Sequence, residues 1–80
     1  MLTVTNAEYV GGLSLKLRFS DGVERIVDFT GFIKSHPHIQ YQEYMKPENF
    51  RMFTIDNGNV VWGQDWDLIF PVEDLYNGVL

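Results

Sequence analysis

The sequence predicts a small α+β domain built on a mostly antiparallel sheet of about five strands. Two turn dipeptides, Asp21-Gly22 and Asn57-Gly58, each separate runs of alternating apolar residues, and such a pattern is typical of a β-hairpin. A glycine pair, Gly11-Gly12, ends an earlier extended segment and permits a further turn. The expected order is a three-strand meander, a short helix, the second hairpin and a short C-terminal helix.

The register of the first hairpin follows from its alternation. Apolar and polar residues take turns before the glycine, in the order Leu13, Ser14, Leu15, Lys16, Leu17, Arg18, Phe19. A two-residue turn would place Arg18 opposite Arg25, so we predict a three-residue loop over 20–22, with Gly22 at positive φ. The predicted pairs are then Phe19 with Val23, Arg18 with Glu24 and Leu15 with Val27. Arg25 is left on the apolar face, where its stem can cover the sheet while the guanidinium reaches water or a carboxylate.

The second hairpin is predicted from Asn57-Gly58, because both central residues of a type I′ turn need positive φ and these two residue types tolerate it best. The predicted pairs are Asp56 with Asn59, Ile55 with Val60, Thr54 with Val61 and Phe53 with Trp62. We expect the face that carries Ile55, Val60, Phe53 and Trp62 to belong to the core.

Four further segments complete the predicted fold. Residues 3–10 form the first strand, which is expected to leave an exposed edge open to another strand. Residues 28–33 are assigned a one-turn helix or an irregular crossover, and 39–46 a short helix that Pro47 ends. Residues 71–76 are predicted to form the last helix, with proline at its start and carboxylates in its first turn.

Composition limits the classes of protein to consider. Eighty residues make one domain, and 45% hydrophobic residues with 15% aromatics indicate a folded chain. The chain has no cysteine, which excludes disulfides and thiolate metal sites and favours a cytoplasmic location. Residues 1–4 do not start an export signal, and no apolar run approaches the roughly 20 residues of a membrane span. We expect no membrane association.

Charge is distributed unevenly along the chain. The net charge is −5, and all of the excess lies after residue 42, because residues 1–42 hold four acids and four bases. Four acids near the end have no basic neighbour: Asp65, Asp67, Glu73 and Asp74. Binding a phosphate backbone requires clustered lysines and arginines, so we expect no direct nucleic-acid binding. The acidic end is either a solvated surface that keeps the domain soluble or a surface for a basic partner.

The order of several short motifs resembles a known family. These motifs are Leu17-Arg18-Phe19-Ser20-Asp21-Gly22, Val27-Asp28-Phe29, residues 50–56, the Gly58 turn, Val60-Val61-Trp62, Asp67-Leu68 and Leu75-Tyr76. In this order they are similar to the small bacterial proteins grouped as domain of unknown function 2442, although residues 67–74 are longer than the Asp-Leu-x-Pro-Glu run of that family. The resemblance implies a compact α+β domain with no established enzyme activity and no known cofactor. It also implies a possible link to toxin–antitoxin pairing, which is suspected for some relatives.

Candidate catalytic or metal-binding residues are few. His36 and His38 flank Pro37 and in an extended stretch would project to one side, as half of a zinc site or as exposed loop residues. Asp65 and Asp67, together with Asp56, could form a weak calcium site, a carboxylate pair or merely a solvated surface. The sequence contains neither a Gly-x-Ser-x-Gly motif nor a phosphate-binding glycine loop. We therefore predict no catalytic residue, metal site or cofactor, and keep a small metal-dependent or hydrolytic enzyme as the alternative.

The most informative candidate is Trp66, which lies between Asp65 and Asp67. Tryptophan often dominates binding to a partner, and an acidic rim would attract a basic one. The opposing interpretation is that Trp66 and Leu68 fold back as a lid over one end of the sheet. The favoured hypothesis is a non-enzymatic interaction module, such as the antitoxin-like acidic component of a protein pair, that binds a protein partner or itself. Its predicted partner-binding residues are Asp65, Trp66, Asp67, Glu73 and Asp74.

Overall fold

The structure of the chain, a computed structural model, describes residues 1–36, 39–63 and 66–78. Its strands are β1 (Val4–Gly11), β2 (Ser14–Phe19), β3 (Glu24–Asp28), β4 (Thr54–Asp56), β5 (Asn59–Trp62) and β6 (Leu68–Ile69). Its α-helices are α1 (Thr30–Ser35), α2 (Ile39–Gln42), α3 (Pro47–Phe50) and α4 (Val72–Asn77), and a 3₁₀ turn covers Glu43–Met45. All helices are short, so the sheets carry most of the regular structure.

The strands form two antiparallel sheets of three strands each, in the orders β1-β2-β3 and β4-β5-β6. The predicted α+β class is therefore confirmed. Six strands are present in place of about five, because Leu68 and Ile69 pair with Trp62 and Val61. A two-residue strand has too little alternation to be recognised in the sequence.

The first hairpin has the predicted register. Arg18 pairs with Glu24, and the Phe19 N–H donates to the Val23 carbonyl at 2.9 Å. Gly22 has the positive φ (88°) that the three-residue loop requires. Arg25 lies on the apolar face, as expected, and its guanidinium carbon is 5.1 Å from the centre of the Tyr76 ring. A cation–π contact therefore accommodates this charge.

The second hairpin also has the predicted pairs Thr54 with Val61, Ile55 with Val60 and Asp56 with Asn59. Asn57 (φ 52°) and Gly58 (φ 80°) both adopt the positive φ of a type I′ turn. The predicted core face is only partly buried. Val60 and Trp62 are fully buried, whereas Ile55 remains 39% exposed beside the turn. Val61 is buried as well, although it projects from the opposite face.

The helices begin and end at local signals. The Asp28 carboxylate accepts the Thr30 N–H at 2.9 Å where α1 begins, and hydrogen bonding from the Thr30 side chain and from this N–H lowers the pKa of Asp28. Pro47 ends the preceding helical segment, as predicted, but it also starts α3, which the sequence did not indicate. Pro71 precedes α4, which Gly78 ends in the left-handed conformation.

One core joins the two sheets and the helices. Trp62 is at its centre, with aromatic neighbours from several elements: Phe29, Tyr44, Phe50, Phe53 and Phe70. The indole N–H of Trp62 donates to the Phe50 carbonyl at 2.7 Å in this buried setting. The first sheet contributes its apolar face, formed by Val4, Leu15, Leu17, Phe19 and Val27. Apart from Phe19, the first sheet therefore adds aliphatic side chains to the aromatic cluster around Trp62.

Candidate functional site

Trp66 lies in a tight turn after β5. Its N–H is 3.4 Å from the Gly63 carbonyl, to which it donates. Its backbone has φ 55°, in the left-handed region that bulky residues rarely adopt, and its side chain is 44% exposed. A conformation of this kind costs of order 1–3 kcal/mol and is found most often at functional sites. Asp65, the other half of the predicted motif, lies outside the described residues.

Asp67 folds back over the backbone of Gly63. A Cβ atom at position 63 would be 2.9 Å from Cγ of Asp67 and would also clash with its carboxylate oxygen. Because Gly63 has positive φ (85°) as well, only glycine fits there without rearrangement. The turn therefore holds the Asp67 carboxylate beside the end of β5.

A groove of about 480 Å³ lies beside this turn, and we call it the Trp66 groove. Its lining residues come from three regions of the chain: Glu43, Tyr44, Asn49, Met52, Thr54, Asp56, Val61, Gly63 and Trp66. Burial raises the pKa of Tyr44, and the negative charges of Glu43 and Asp67 raise it further. Glu43, Asp56 and Asp67 thus give this part of the surface a negative potential.

Apolar side chains surround the same groove. Met52 is 72% exposed, and it lines the groove with Val61 and Trp66. Ile69 is 40% exposed and pairs with Val61 across the sheet, so both side chains project from the same face. The outer face of the second sheet is consequently apolar at its centre and acidic at its margin.

Glu73 and Asp74 lie elsewhere. Both are in the first turn of α4, and Glu73 borders a separate groove of about 240 Å³ with residues 1–3 and 57–59. This second groove is at the Asn59 end of β5, whereas Trp66 and Asp67 are at the Trp62 end. The structure therefore brings Trp66 and Asp67 together but does not bring Glu73 into the Trp66 groove.

Of the nine described residues that line the groove, only Trp66 was among the predicted partner-binding residues. Glu43 and Tyr44 come from the 3₁₀ turn, and Met52 from the segment between α3 and β4. No local pattern in the sequence connects them with Trp66. They reach it because the short helices fold back against the second sheet, and this is a tertiary effect.

The histidine pair is only partly described, because His38 lies outside the described residues. The His36 ring stacks on Phe32, with centroids 4.1 Å apart. Its Nδ1 is 2.8 Å from the Phe32 carbonyl, so the proton on Nδ1 donates to that oxygen. Over residues 1–36, 39–63 and 66–78 there is no group of three or more side chains able to hold a metal ion.

Comparison of the chain with protein-family models, with curated proteins and with solved structures finds no match. The resemblance to domain of unknown function 2442 therefore stays a prediction. No helix in the described part of the chain is long and apolar enough to cross a membrane. The functional argument rests on the geometry of the Trp66 groove.

Proposed function

We propose that this chain is a non-enzymatic interaction module that binds a basic protein partner through the Trp66 groove. The observation that carries the proposal is the half-exposed indole of Trp66 on a backbone in the left-handed region. Burying a large aromatic side chain stabilises a fold more than leaving it exposed. A tryptophan that is both exposed and on a strained backbone must therefore be retained for a reason other than the stability of the free chain. Contact with a partner would supply it.

The composition of the surface supports the proposal. Tryptophan and methionine are enriched in the centres of protein interfaces, and here Met52 and Trp66 line one groove. Ile69 extends the apolar area along the same face of the sheet. An incoming apolar side chain would cover Met52, Trp66 and Ile69, since Val61 on the same face is already buried.

The charges around the groove identify the kind of partner. Glu43, Asp56 and Asp67 surround the apolar centre, and none of the described residues that line the groove is basic. Negative potential attracts a basic partner and raises its rate of association, most strongly at low salt. We therefore propose a partner with an apolar residue flanked by lysines or arginines.

The biological setting proposed is a pair of small proteins in the cytoplasm, in which this chain is the acidic, antitoxin-like member. The net charge of −5 and the absence of cysteine support this setting. The resemblance to domain of unknown function 2442 points the same way.

The two tryptophans allow a direct test. Trp62 is fully buried and Trp66 is 44% exposed, so quenching of fluorescence by acrylamide reports mainly on Trp66. Tagged protein would be used to capture partners from a lysate of the source organism, and each purified complex would be titrated with acrylamide. We expect Trp66 to become inaccessible in the complex. We also expect Trp66→Ala to weaken the affinity about 30-fold, as at an interface hot spot.

Matched control variants test whether a loss of binding comes from the Trp66 groove or from removing any exposed side chain or any negative charge. Val10→Ala removes a side chain that is also 44% exposed, and it lies on the first sheet. Asp67→Asn and Glu8→Gln each remove one negative charge, but only Asp67 is beside the groove. Trp66→Ala and Asp67→Asn should weaken binding, whereas the controls should bind as the wild type does. Equal capture and equal quenching for all variants would reject the proposal.

A further inference from the structure

β1 and β3 are the two outer strands of the first sheet, and they differ in how their edges are protected. Two irregularities interrupt the register of β1, and the Val4 N–H at its start donates to the Gly58 carbonyl at 2.9 Å. Bulges and covering turns of this kind keep an edge from pairing with other chains. β3 has an unbroken register, and its sequence, residues 24–28, includes neither proline nor lysine. Of the two edges, β3 is the less protected one, because only its charged side chains guard a regular ladder.

The outward hydrogen-bonding groups of β3 can be assigned from the ladder. Phe19 and Val23 form a hydrogen-bonded pair, and such pairs alternate along an antiparallel ladder. Arg25 and Val27 consequently bond to β2, while the N–H and C=O groups of Glu24, Ile26 and Asp28 point away from it. Within the part of the chain that the structure describes, none of these three residues makes a backbone hydrogen bond to another element.

Among residues 1–36, 39–63 and 66–78, nothing fills the space beside this edge. A groove of about 820 Å³ follows the whole of β3, and Phe32 of α1 and Asn77 at the end of α4 line its other side. A neighbouring strand requires a spacing of about 4.8 Å, and five paired residues extend about 17 Å. The groove thus runs along a strand of suitable length, and we call it the β3 groove.

The outward-facing side chains of β3 alternate between acidic and apolar along the strand. Glu24, Ile26 and Asp28 share the solvent face, and Ile26 is 69% exposed between the two acids. Glu24 has one weak contact, 3.9 Å from Lys16 Nζ, and both of these side chains are well exposed. Asp28 accepts the Thr30 N–H but lies on the surface. An opposing strand would meet the order acid, apolar, acid.

We propose that β3 accepts an extended segment of a partner protein, which adds a fourth strand to the first sheet. The segment carries basic residues at positions i and i+4 and an apolar residue at i+2, opposite Asp28, Ile26 and Glu24. Backbone hydrogen bonds give such a complex its affinity, and the alternate side chains give it specificity. The proposal concerns a different sheet from the Trp66 groove and does not depend on the function proposed there.

A second copy of this chain fits the β3 groove poorly. A symmetric antiparallel pair that keeps the faces aligned must be centred on one residue. Centring it on Ile26 places Glu24 opposite Asp28 of the other copy twice, and centring it on Arg25 places two arginines together. Centring it on Val27 leaves only three strand residues within the pairing. Like charges directly opposite each other destabilise a pair, so a basic segment is favoured over a second copy.

A synthetic peptide tests the proposal. The probe is the capped peptide Thr-Lys-Thr-Ile-Thr-Lys-Thr, added to ¹⁵N-labelled protein while amide hydrogen exchange is followed by NMR. In the free protein the amides of Glu24, Ile26 and Asp28 should exchange fast, and those of Arg25 and Val27 slowly. With the peptide bound, the first three should become protected while the other two stay slow, so the change in protection alternates along β3, as strand pairing requires.

Two controls sharpen the result. A peptide with glutamate in place of both lysines should bind about tenfold more weakly, because two favourable cross-strand pairs become repulsive. Ile26→Lys places a cation opposite the probe and should weaken binding by a similar factor, whereas Val10→Lys on β1 should leave it unchanged. Unchanged exchange of the Glu24, Ile26 and Asp28 amides at millimolar peptide would overturn the proposal. Protection of β1 amides in their place would overturn it as well.

Discussion

The two sheets of this domain bury their side chains in different ways. In the first sheet, apolar residues of β2 such as Leu15 and Leu17 are buried, and Lys16 and Arg18 on the other face are accessible. In the second sheet, β5 buries Val60 and Trp62 on one face and Val61 on the other. One sheet has a dry and a wet face, whereas the other buries Val61 on an outer face that also carries Thr54, Asp56 and Asn59.

This difference explains where an apolar surface is left over. A sheet with one polar face needs only one covering layer, and the aromatic core supplies it for β1–β3. The second sheet needs a layer on each side, but the apolar side chains described on its outer face, Met52, Trp66 and Ile69, are all substantially exposed. The proposed partner site is therefore the face of the second sheet that the domain leaves incompletely covered.

The largest expected effect is the difference in stability between alanine variants of the two tryptophans, which are four positions apart. Trp62→Ala removes a fully buried ring and leaves the Phe50 carbonyl without its donor, so the free energy of unfolding should fall by about 3–5 kcal/mol. Trp66→Ala removes a half-exposed ring and should cost less than about 1 kcal/mol. Denaturation followed by circular dichroism measures both. Similar losses for the two variants would place Trp66 in the core and remove the contrast between the faces.

A smaller difference is expected between the glycines of the two hairpin turns. Gly22 and Gly58 both have positive φ, so an alanine at either position should cost about 1–2 kcal/mol in backbone strain. Nothing lies within 4 Å of a Cβ at Gly22, whereas a Cβ at Gly58 would be 2.6 Å from the Cβ of Thr3. Gly58→Ala should therefore cost a further amount of about 1–3 kcal/mol, measured by urea denaturation. Equal costs would show that the second turn does not pack against Thr3, the residue before β1.

The smallest effect concerns acid stability in the first sheet. The Val23 N–H and the Tyr76 O–H both donate to Asp21, and these bonds lower the pKa of its carboxyl below the usual 3.8. A lowered folded-state pKa stabilises the fold above the unfolded value, and this contribution is lost as the pH falls through the folded value. Tyr76→Phe removes one of the two donors, so its melting temperature should fall less than that of the wild type between neutral pH and about pH 2.

Tyr44 in the other half of the molecule provides the control for that experiment. Its pKa is raised mainly by burial, and it makes no hydrogen bond to Asp21, so Tyr44→Phe should keep the acid dependence of the wild type. An acid dependence that is unchanged in Tyr76→Phe would contradict the role assigned to the bond between Tyr76 and Asp21.

Both hairpin registers could be predicted because they depend on local rules. Turn type fixes which residues face each other, and the pairs Arg18 with Glu24 and Ile55 with Val60 are as predicted. The inner face was also predicted for both hairpins, and Val60 and Trp62 are fully buried on the predicted face of the second. Ile55 on that face is 39% exposed, and the burial of Val61 on the opposite face was not predicted, because consecutive apolar residues break the alternation.

The candidate site was predicted only in its Trp66 and Asp67 part. These two residues are adjacent in sequence, and no folding step is needed to bring them together. Glu43, Tyr44 and Met52 reach the same groove through the packing of the 3₁₀ turn and α3 against the second sheet. The same packing separates Glu73 from Trp66, because α4 begins at the opposite end of β5.

The sequence by itself determined the class of the fold, the two hairpins and their pairings, because glycine-dependent turns and period-two alternation act within about ten residues. Only the tertiary structure decided which strand edge is less protected and which sheet face is left uncovered. Protection of β1 by Gly58 and the gathering of acids around Trp66 both join residues far apart in the chain. Contacts over such separations follow from how the sheets and helices pack, and no local pattern encodes them.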